Sequence, residues 1–225
     1  MKLILPTNKF TEPSNEKFKY YFDEIFSIIH PITLCRVMGI INFIVVLLEK
    51  SAVFIDGGYL NKILKNYFSE ADIDYETFSK ELCKIVDAKI LRTYFYYCMP
   101  LIRKENKEDK LRHAKMQKFI QKLKRLPRFE VRLGKLQVIG GVFKQKMIDV
   151  LMSLDIVDTS FERQVDHIIV VAGDSDFVPA IKKAKEYGSI VHLFYHRNSV
   201  HNQILDEVDE RHEISTELVD KCRIN

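Results

Sequence analysis

The chain has 225 residues, 47% of them hydrophobic and 29% charged, with a formal net charge of +4. That is enough for one domain with a full core, or one domain plus an appendage, and the composition is that of a soluble globular protein. Its four cysteines, Cys35, Cys83, Cys98 and Cys222, show no CxxC or Cys/His zinc spacing. They read as reduced intracellular thiols in a cytoplasmic protein, and a structural zinc site is not expected. The positive charge is local. Residues 103–146 hold 15 Lys+Arg against 4 Asp+Glu, an excess of +11 that leaves −7 on the remainder. So one-sided a segment points to a polyanion as partner.

In chain order, Met1 to Tyr21 is polar and mixed, and Val37 to Leu48 is an apolar run of 12 residues closed by Arg36 and Glu49. A spanning helix needs about 20 apolar residues. Extending the run backwards meets Arg36, Pro31 and His30, so it reads as a helix packed on the domain or on a partner, not as a membrane span or secretory signal. Residues 1–50 are expected to form an N-terminal extension, helical in character, ahead of a single domain over 51–225.

From Ser51 strands and helices alternate. Ala52 to Ile55 is a short apolar strand ending in Asp56-Gly57-Gly58, and Tyr59 to Phe68 follows with helical spacing. Tyr75 to Val86 predicts a helix. Ala88 to Tyr97 predicts a strand whose aromatic run Tyr94 to Tyr97 suits core packing better than a base-stacking platform, because successive strand residues face opposite ways. Lys110 to Leu126 predicts a helix with Met116, Phe119, Ile120 and Leu123 on one side and Lys115, Lys118, Lys122 and Arg125 on the other. Phe129 to Ile139 is a strand or hairpin, Gly140-Gly141 a turn, and Lys144 to Val157 a helix on which Lys146 and Asp149 share a face. Asp149 lies among Met147, Ile148, Val150, Leu151 and Met152, an apolar setting in which a carboxylate asks for a partner. Asp155 points elsewhere and ranks second.

The most informative stretch is His167 to Phe177, HIIVVAGDSDF. Its apolar run is too short for a helix, rich in β-branched residues and stopped by Gly173, which predicts a strand buried on both faces of a parallel sheet. A helix follows over 177–187, with Asp174 or Ser175 placed to cap it and Pro179 in its first turn. Asp174 and Asp176 therefore stand where a core strand hands over to a helix, the edge at which open parallel sheets bind ligands. Crowded carboxylates raise one another's pKa unless a cation neutralises them, so the pair reads as a hard-metal site for Mg²⁺ or Mn²⁺. Ile190 to Phe194 is a further core strand, and Asn202 to Asp220 closes the fold with a helix and a small edge element. The pattern as a whole predicts an α/β fold with a mostly parallel sheet.

FIDGGYL (54–60), KQKMID (144–149), VVAGDSDFVPAIKKAKEYG (170–188) and EVDERHEIS (207–215), in that order, resemble the NYN domain, and within it the LabA-like group. That family belongs to the PIN-like nuclease superfamily. The resemblance implies a Rossmann-like sheet, an aspartate cluster binding Mg²⁺ or Mn²⁺, and metal-dependent ribonuclease activity. Carried over by position, the catalytic and metal-binding cluster is Asp56, Asp149, Asp174 and Asp176. Two positions depart from the family pattern: many members have Asn where Tyr59 stands and Gly where Met147 stands.

With this cluster, Lys144, Lys146 and Ser175 are candidates to hold a phosphate at the site. Lys115, Lys118, Lys122 and Arg125 are candidates to track an RNA strand by counterion release. No small organic cofactor is called for, and homo-oligomerisation is left open. Two other readings compete. A haloacid-dehalogenase-like phosphatase also uses aspartates at strand ends, and GDSD resembles its metal motif, but that chemistry needs an acid two residues after the nucleophile and Gly58 stands there. A non-catalytic nucleic-acid-binding or scaffold protein would retain the acidic cluster without turnover.

Overall fold

The structure is a computed structural model describing residues 49–100, 107–139 and 142–224; for 135–139 and 142–146 it gives the backbone alone. Val37 to Leu48, and with it the expected N-terminal extension, lies outside the described residues. Among the described residues no helix is long and apolar enough to cross a membrane.

The strands are β1 (Lys50–Asp56), β2 (Lys89–Cys98), β3 (Phe129–Ile139), β4 (Val142–Lys146), β5 (His167–Val171), β6 (Ile190–Tyr195) and β7 (Glu210–Glu213). They form one sheet in the order β4-β3-β2-β1-β5-β6-β7. Every pairing is parallel except β3 with β4, which is antiparallel. The helices are α1 (Gly57–Tyr67), α2 (Tyr75–Val86), α3 (Lys107–Leu123), α4 (Ile148–Phe161), α5 (Val178–Glu186), α6 (Asn202–Glu207) and α7 (Thr216–Lys221). The expected α/β architecture, a mostly parallel sheet flanked by helices, is what the chain forms.

The two central strands explain the layering. β5 is buried along its whole length and β1 from Ser51 to Ile55, so alternate side chains feed two separate cores. Val53, Ile55, Ile169, Val171 and Phe194 meet α1, α2, α3 and α7 on one face. Phe54, Ile168, Val170, Val191 and Leu193 meet α4, α5 and α6 on the other. The chain steps outward from β1 to β4, then returns to the far side of β1 as β5. The boundary between β1 and β5 is therefore the point where strand order reverses and the flanking helices change sides.

The aromatic run behaves as core. Phe95 packs edge-on against Tyr75 and Phe119, while Tyr96 enters the opposite core and donates its hydroxyl to Asp155 Oδ2 at 2.7 Å. Arg132 Nε reaches the same oxygen at 3.3 Å, so Asp155 is committed to β2 and β3. Burial and that carboxylate push the Tyr96 phenol well above its ordinary pKa.

One expected element is corrected. Residues 142–146 form β4, and the helix expected from Lys144 begins only at Ile148. β4 pairs antiparallel with β3, with Lys146 opposite Lys135 and Lys144 opposite Gln137. Lys146 therefore shares no helix face with Asp149; the side chains of Lys144 and Lys146 lie outside what is described. Between strand and helix Met147 takes φ 81°, ψ −9°, a left-handed conformation that glycine adopts freely and Met does not. The departure from the family's Gly is thus a matter of backbone strain. Packing beside Asp149 is not involved, because Met147 is more than half exposed.

Met147→Gly should therefore stabilise the protein by about 0.5–1 kcal/mol, less than the full left-handed penalty because glycine adds entropy to the unfolded chain. Thermal melting should show a rise of roughly 1–4 °C. Met147→Ala should give no gain, and a lower melting temperature for the glycine variant would rule out strain at this position.

Candidate functional site

Asp56 is the last residue of β1 and also the cap of α1. Its Oδ1 accepts hydrogen bonds from the N–H groups of Gly58 at 2.9 Å and Tyr59 at 3.0 Å. Next to it, β5 ends at Val171, the partner of Ile55, and Asp174 follows three residues on. Asp174 is in extended conformation and its Oδ1 accepts from Asp176 N–H at 3.2 Å, starting a short 3₁₀ turn over Ser175–Phe177. The expected cap is present, but on that turn. α5 begins afterwards at Val178 with Pro179 in its first turn. Each carboxylate uses one oxygen in its own turn, and the other takes no part in these bonds.

Asp149 reaches the same edge by a different route. Gly134, opposite Cys98 at the carboxyl end of β2, lies directly under the start of α4. A Cβ there would come within 2.6 Å of Ile148 Cγ1 and 2.9 Å of Cys98 Sγ, so only glycine lets the helix settle this low. Asp149, the second residue of α4, is carried with it. Of the apolar surround expected from sequence, Met147 and Val150 are exposed while Ile148 and Met152 are buried in the core beneath the helix. The helix start has no side-chain cap.

Electrostatics connect the four aspartates. Asp56 is raised above the ordinary 3.8 chiefly by desolvation, with repulsion from Asp149 and Asp174 adding to it against the helix-cap hydrogen bonds. Asp149 is raised by desolvation and then by Asp174 and Asp176. Cys98, between β2 and α4, is pushed up by burial and by both Asp149 and Asp56. Carboxylates from β1, α4 and the turn after β5 thus act on one another at one edge of the sheet. They are not drawn tightly together. Among the described residues, the set whose three ligand atoms all lie within 4.8 Å is His192, Glu210 and His212, on another part of the sheet.

A cleft of about 450 Å³ opens at this edge, lined by Asp56, Tyr59, Lys62 and Asp174 and by Asn198 to His201 of the loop after β6. Tyr59 is structural. Its hydroxyl accepts from His196 N–H at 2.9 Å, and its ring lies under Gly173, where a Cβ would come within 2.4 Å of the ring and 2.2 Å of Ser199 O. Burial pushes the phenol up to about 12. Tyr67 stacks on His196 with ring centroids 3.9 Å apart and donates to Asn198 O at 3.2 Å. His201 N–H closes on Gly173 O at 2.9 Å. The loop's residues and Lys62 escaped sequence reasoning. For Lys62 a signal existed, since it follows Asp56 and Tyr59 at three-residue steps along α1; for the loop there was none. Ser175 is half-buried beside the pair. Lys115, Lys118, Lys122 and Arg125 are exposed as expected, and the last three line a separate groove of about 740 Å³.

The raised carboxyls fix the sign of a pH effect. A folded-state pKa above the unfolded value means that ionisation disfavours the fold. That penalty is full above the folded pKa and is relieved as pH falls through it towards 3.8. Asp149→Asn should raise the melting temperature of the protein in chelator near pH 7 by roughly 1–2 °C, a small effect because the group is largely exposed. It should also flatten the acid side of the stability profile. A melting temperature lowered by the substitution would show that the Asp149 charge is favourable to the fold.

A crystal structure of a protein of unknown function from Vibrio parahaemolyticus RIMD 2210633 has a similar fold, with a TM-score of 0.54 at 20% identity, covering 79% of this chain and 97% of that one. No curated protein matches the chain in a sequence comparison. A family profile, that of the NYN domain, matches residues 50–217, from the first residue of β1 into α7. With some three-quarters of its length under that profile and the sheet order described above, the chain belongs to the NYN domain family, a branch of the PIN-like nucleases.

Proposed function

We propose that this NYN domain is a metal-dependent ribonuclease of the LabA-like group that hydrolyses RNA phosphodiester bonds, with Asp56, Asp149, Asp174 and Asp176 holding Mg²⁺ or Mn²⁺. The observation that carries the reading is the placement of Asp56 and Asp174 at the carboxyl ends of the two central strands, lining one cleft, with Asp149 near enough for its charge to act on Asp56. Asp56 and Asp149 are raised in part by the neighbouring carboxylates, a cost that a cation would relieve, and an all-carboxylate donor set fits a hard dication. When bound, such an ion makes a water molecule more acidic and neutralises phosphoryl oxygens.

The chain's own groups supply the rest. Asp56 and Asp174 are fixed by the N–H bonds their Oδ1 atoms accept, so their second oxygens are presented with little freedom. Lys62 on α1 lines the same cleft as both and supplies the cation that a phosphate needs beside the aspartates. Ser175 offers a hydroxyl next to the carboxylate pair. Lys118, Lys122 and Arg125 share a groove with Gln117 and Gln121, a surface suited to following a phosphate backbone without reading bases.

The test uses metal-depleted protein, RNA, and Mg²⁺ or Mn²⁺ added back, with p-nitrophenyl phosphate as the phosphatase control. Asp174→Asn keeps the Oδ1 that caps the turn and removes the charge. Cleavage should fall on the order of 10²–10³-fold while the circular dichroism spectrum and RNA affinity hold. RNA cleavage by the variant at the wild-type rate would falsify the assignment.

Changing Lys115, Lys118, Lys122 and Arg125 together to Ala should weaken binding alike for unrelated RNAs. The slope of log K against log salt should flatten by roughly 0.7 per lost contact on a single strand. Cleavage at saturating RNA should change little, and an unaltered slope would move the RNA path elsewhere. Lys62→Ala should instead reduce turnover by roughly 10-fold or more, because it removes a charge at the reacting phosphate.

A further inference from the structure

The face of β5 to β7 holds a second cluster that the aspartate chemistry leaves unused. His192 Nδ1 lies 3.2 Å from Glu210 Oε2 and 3.3 Å from His212 Nε2, and His212 Nε2 lies 3.4 Å from the same Glu210 oxygen. The parallel register builds this triangle. His192 is opposite Glu210, and His212 follows two residues later on the same side of β7. Phe194, on the same face of β6, stacks on the His212 ring at 4.6 Å and fixes its plane.

We propose that His192, Glu210 and His212 bind one divalent transition-metal ion of the zinc class, at a site separate from the aspartate cluster. The geometry comes first. Four ligands at roughly 2.0–2.1 Å around zinc stand about 3.3–3.4 Å apart along each tetrahedral edge, and the three donor atoms already form such a face. Two imidazoles and a carboxylate favour zinc and its neighbours over Mg²⁺, which prefers oxygen and keeps its waters. The fourth position faces outward, since Glu210 is exposed and His212 only half-buried, so an ion has a route in.

The proton count points the same way. His167 Nε2 faces Glu49 Oε2 at 2.9 Å, and an ionised carboxylate only accepts, so that nitrogen carries a proton. A neutral His167 then has its lone pair on Nδ1, which lies 2.9 Å from His192 Nε2 and takes a hydrogen bond from it. A neutral His192 is left with its lone pair on Nδ1, aimed at the Glu210 carboxylate and the His212 ring. Two acceptors and a third nitrogen with at most one proton meet at a single point. Glu49 and His167 thus form the outer chain that sets the tautomer of a metal-binding imidazole. The cysteine spacings, from which no structural zinc site is expected, carry no information about a set drawn from two adjacent strands.

The test titrates Zn²⁺ by calorimetry, and Co²⁺ by its visible d–d absorption, into chelator-treated, tag-free full-length protein with excess Mg²⁺ present. One equivalent should bind with a tetrahedral Co²⁺ spectrum, and the melting temperature should rise by several degrees. Glu210→Gln and His212→Gln should each weaken binding by at least about 10²-fold and abolish the rise, while Asp174→Asn binds as wild type does. Glu210 is exposed, so its variant keeps the test open should His212→Gln misfold. Absence of saturable binding, unchanged affinity in Glu210→Gln, or loss of binding in Asp174→Asn instead would each overturn the site. Nuclease activity is not a readout, so the two proposals fail independently.

Discussion

The parallel pairing of β1 with β5 is the constraint on which the rest depends. Its register, from Ser51 opposite His167 to Ile55 opposite Val171, makes two strands distant in sequence end side by side. Strand order reverses at this boundary, so α1 leaves β1 over one face and α5 leaves β5 over the other, and a crevice opens between them. Asp56 and Asp174 occupy the two lips of that crevice because each begins the turn that ends its strand. A slip of one residue would send every β5 side chain to the opposite core, refilling both with side chains of the wrong shape and parting His167 from His192 and Glu49. The placement of the carboxylates thus follows from strand register and core packing, neither of which depends on their charge.

Desolvation at this edge makes the charges of Asp56 and Asp149 unfavourable to the fold. Asp56 offsets part of its desolvation through the cap hydrogen bonds, while Asp149 has no such bonds and feels two further carboxylates. Strain collects nearby as well, in the left-handed Met147, and Gly134 and Gly173 stand where any side chain would clash. Local costs of this kind persist where the surrounding structure over-determines them, and they concentrate where chemistry needs groups that packing would not choose.

How much of this was legible follows from the kind of signal each element sends. The buried strands, the helix over 75–86 and the Asp-Gly-Gly and Gly-Asp-Ser-Asp turns are local patterns, and the sequence reading located them within a residue or two. So too were Asp56, Asp174 and Asp176, each written beside its own strand. The start of α4 was not legible. VFKQKMID carries helical spacing, yet the antiparallel pairing of β4 with β3 overrides it up to Lys146, and the interruption at Met147 leaves no mark in a sequence that has Met in place of Gly. Lys62 and residues 198–201 line the cleft only because Tyr59 and Tyr67 pin the loop after β6, a long-range event. His192, Glu210 and His212 come together through strand register, which no short motif encodes.

β6 links the two clusters. His192 is three residues before Tyr195, where the strand gives way to the loop that walls the cleft, and β7 runs beside it as far as Glu213. Glu213 holds Arg197 through two bonds of 2.6 and 2.7 Å, so the loop is anchored to the edge strand as well as to Tyr59. Four residues of β7 give a short edge ladder, and an edge of that length frays easily on its own. An ion bridging His192 to Glu210 and His212 joins β6 to β7 by bonds that do not depend on the ladder. It would act on the cleft through the order of residues 196–201 and leave the charges at Asp56 and Asp174 unaltered. The donor sets are chemically different, carboxylates alone at one end of the sheet and imidazoles with one carboxylate on its face. Each would therefore favour its own class of ion, and under the proposal above the edge would be stiffened without occupying the aspartates.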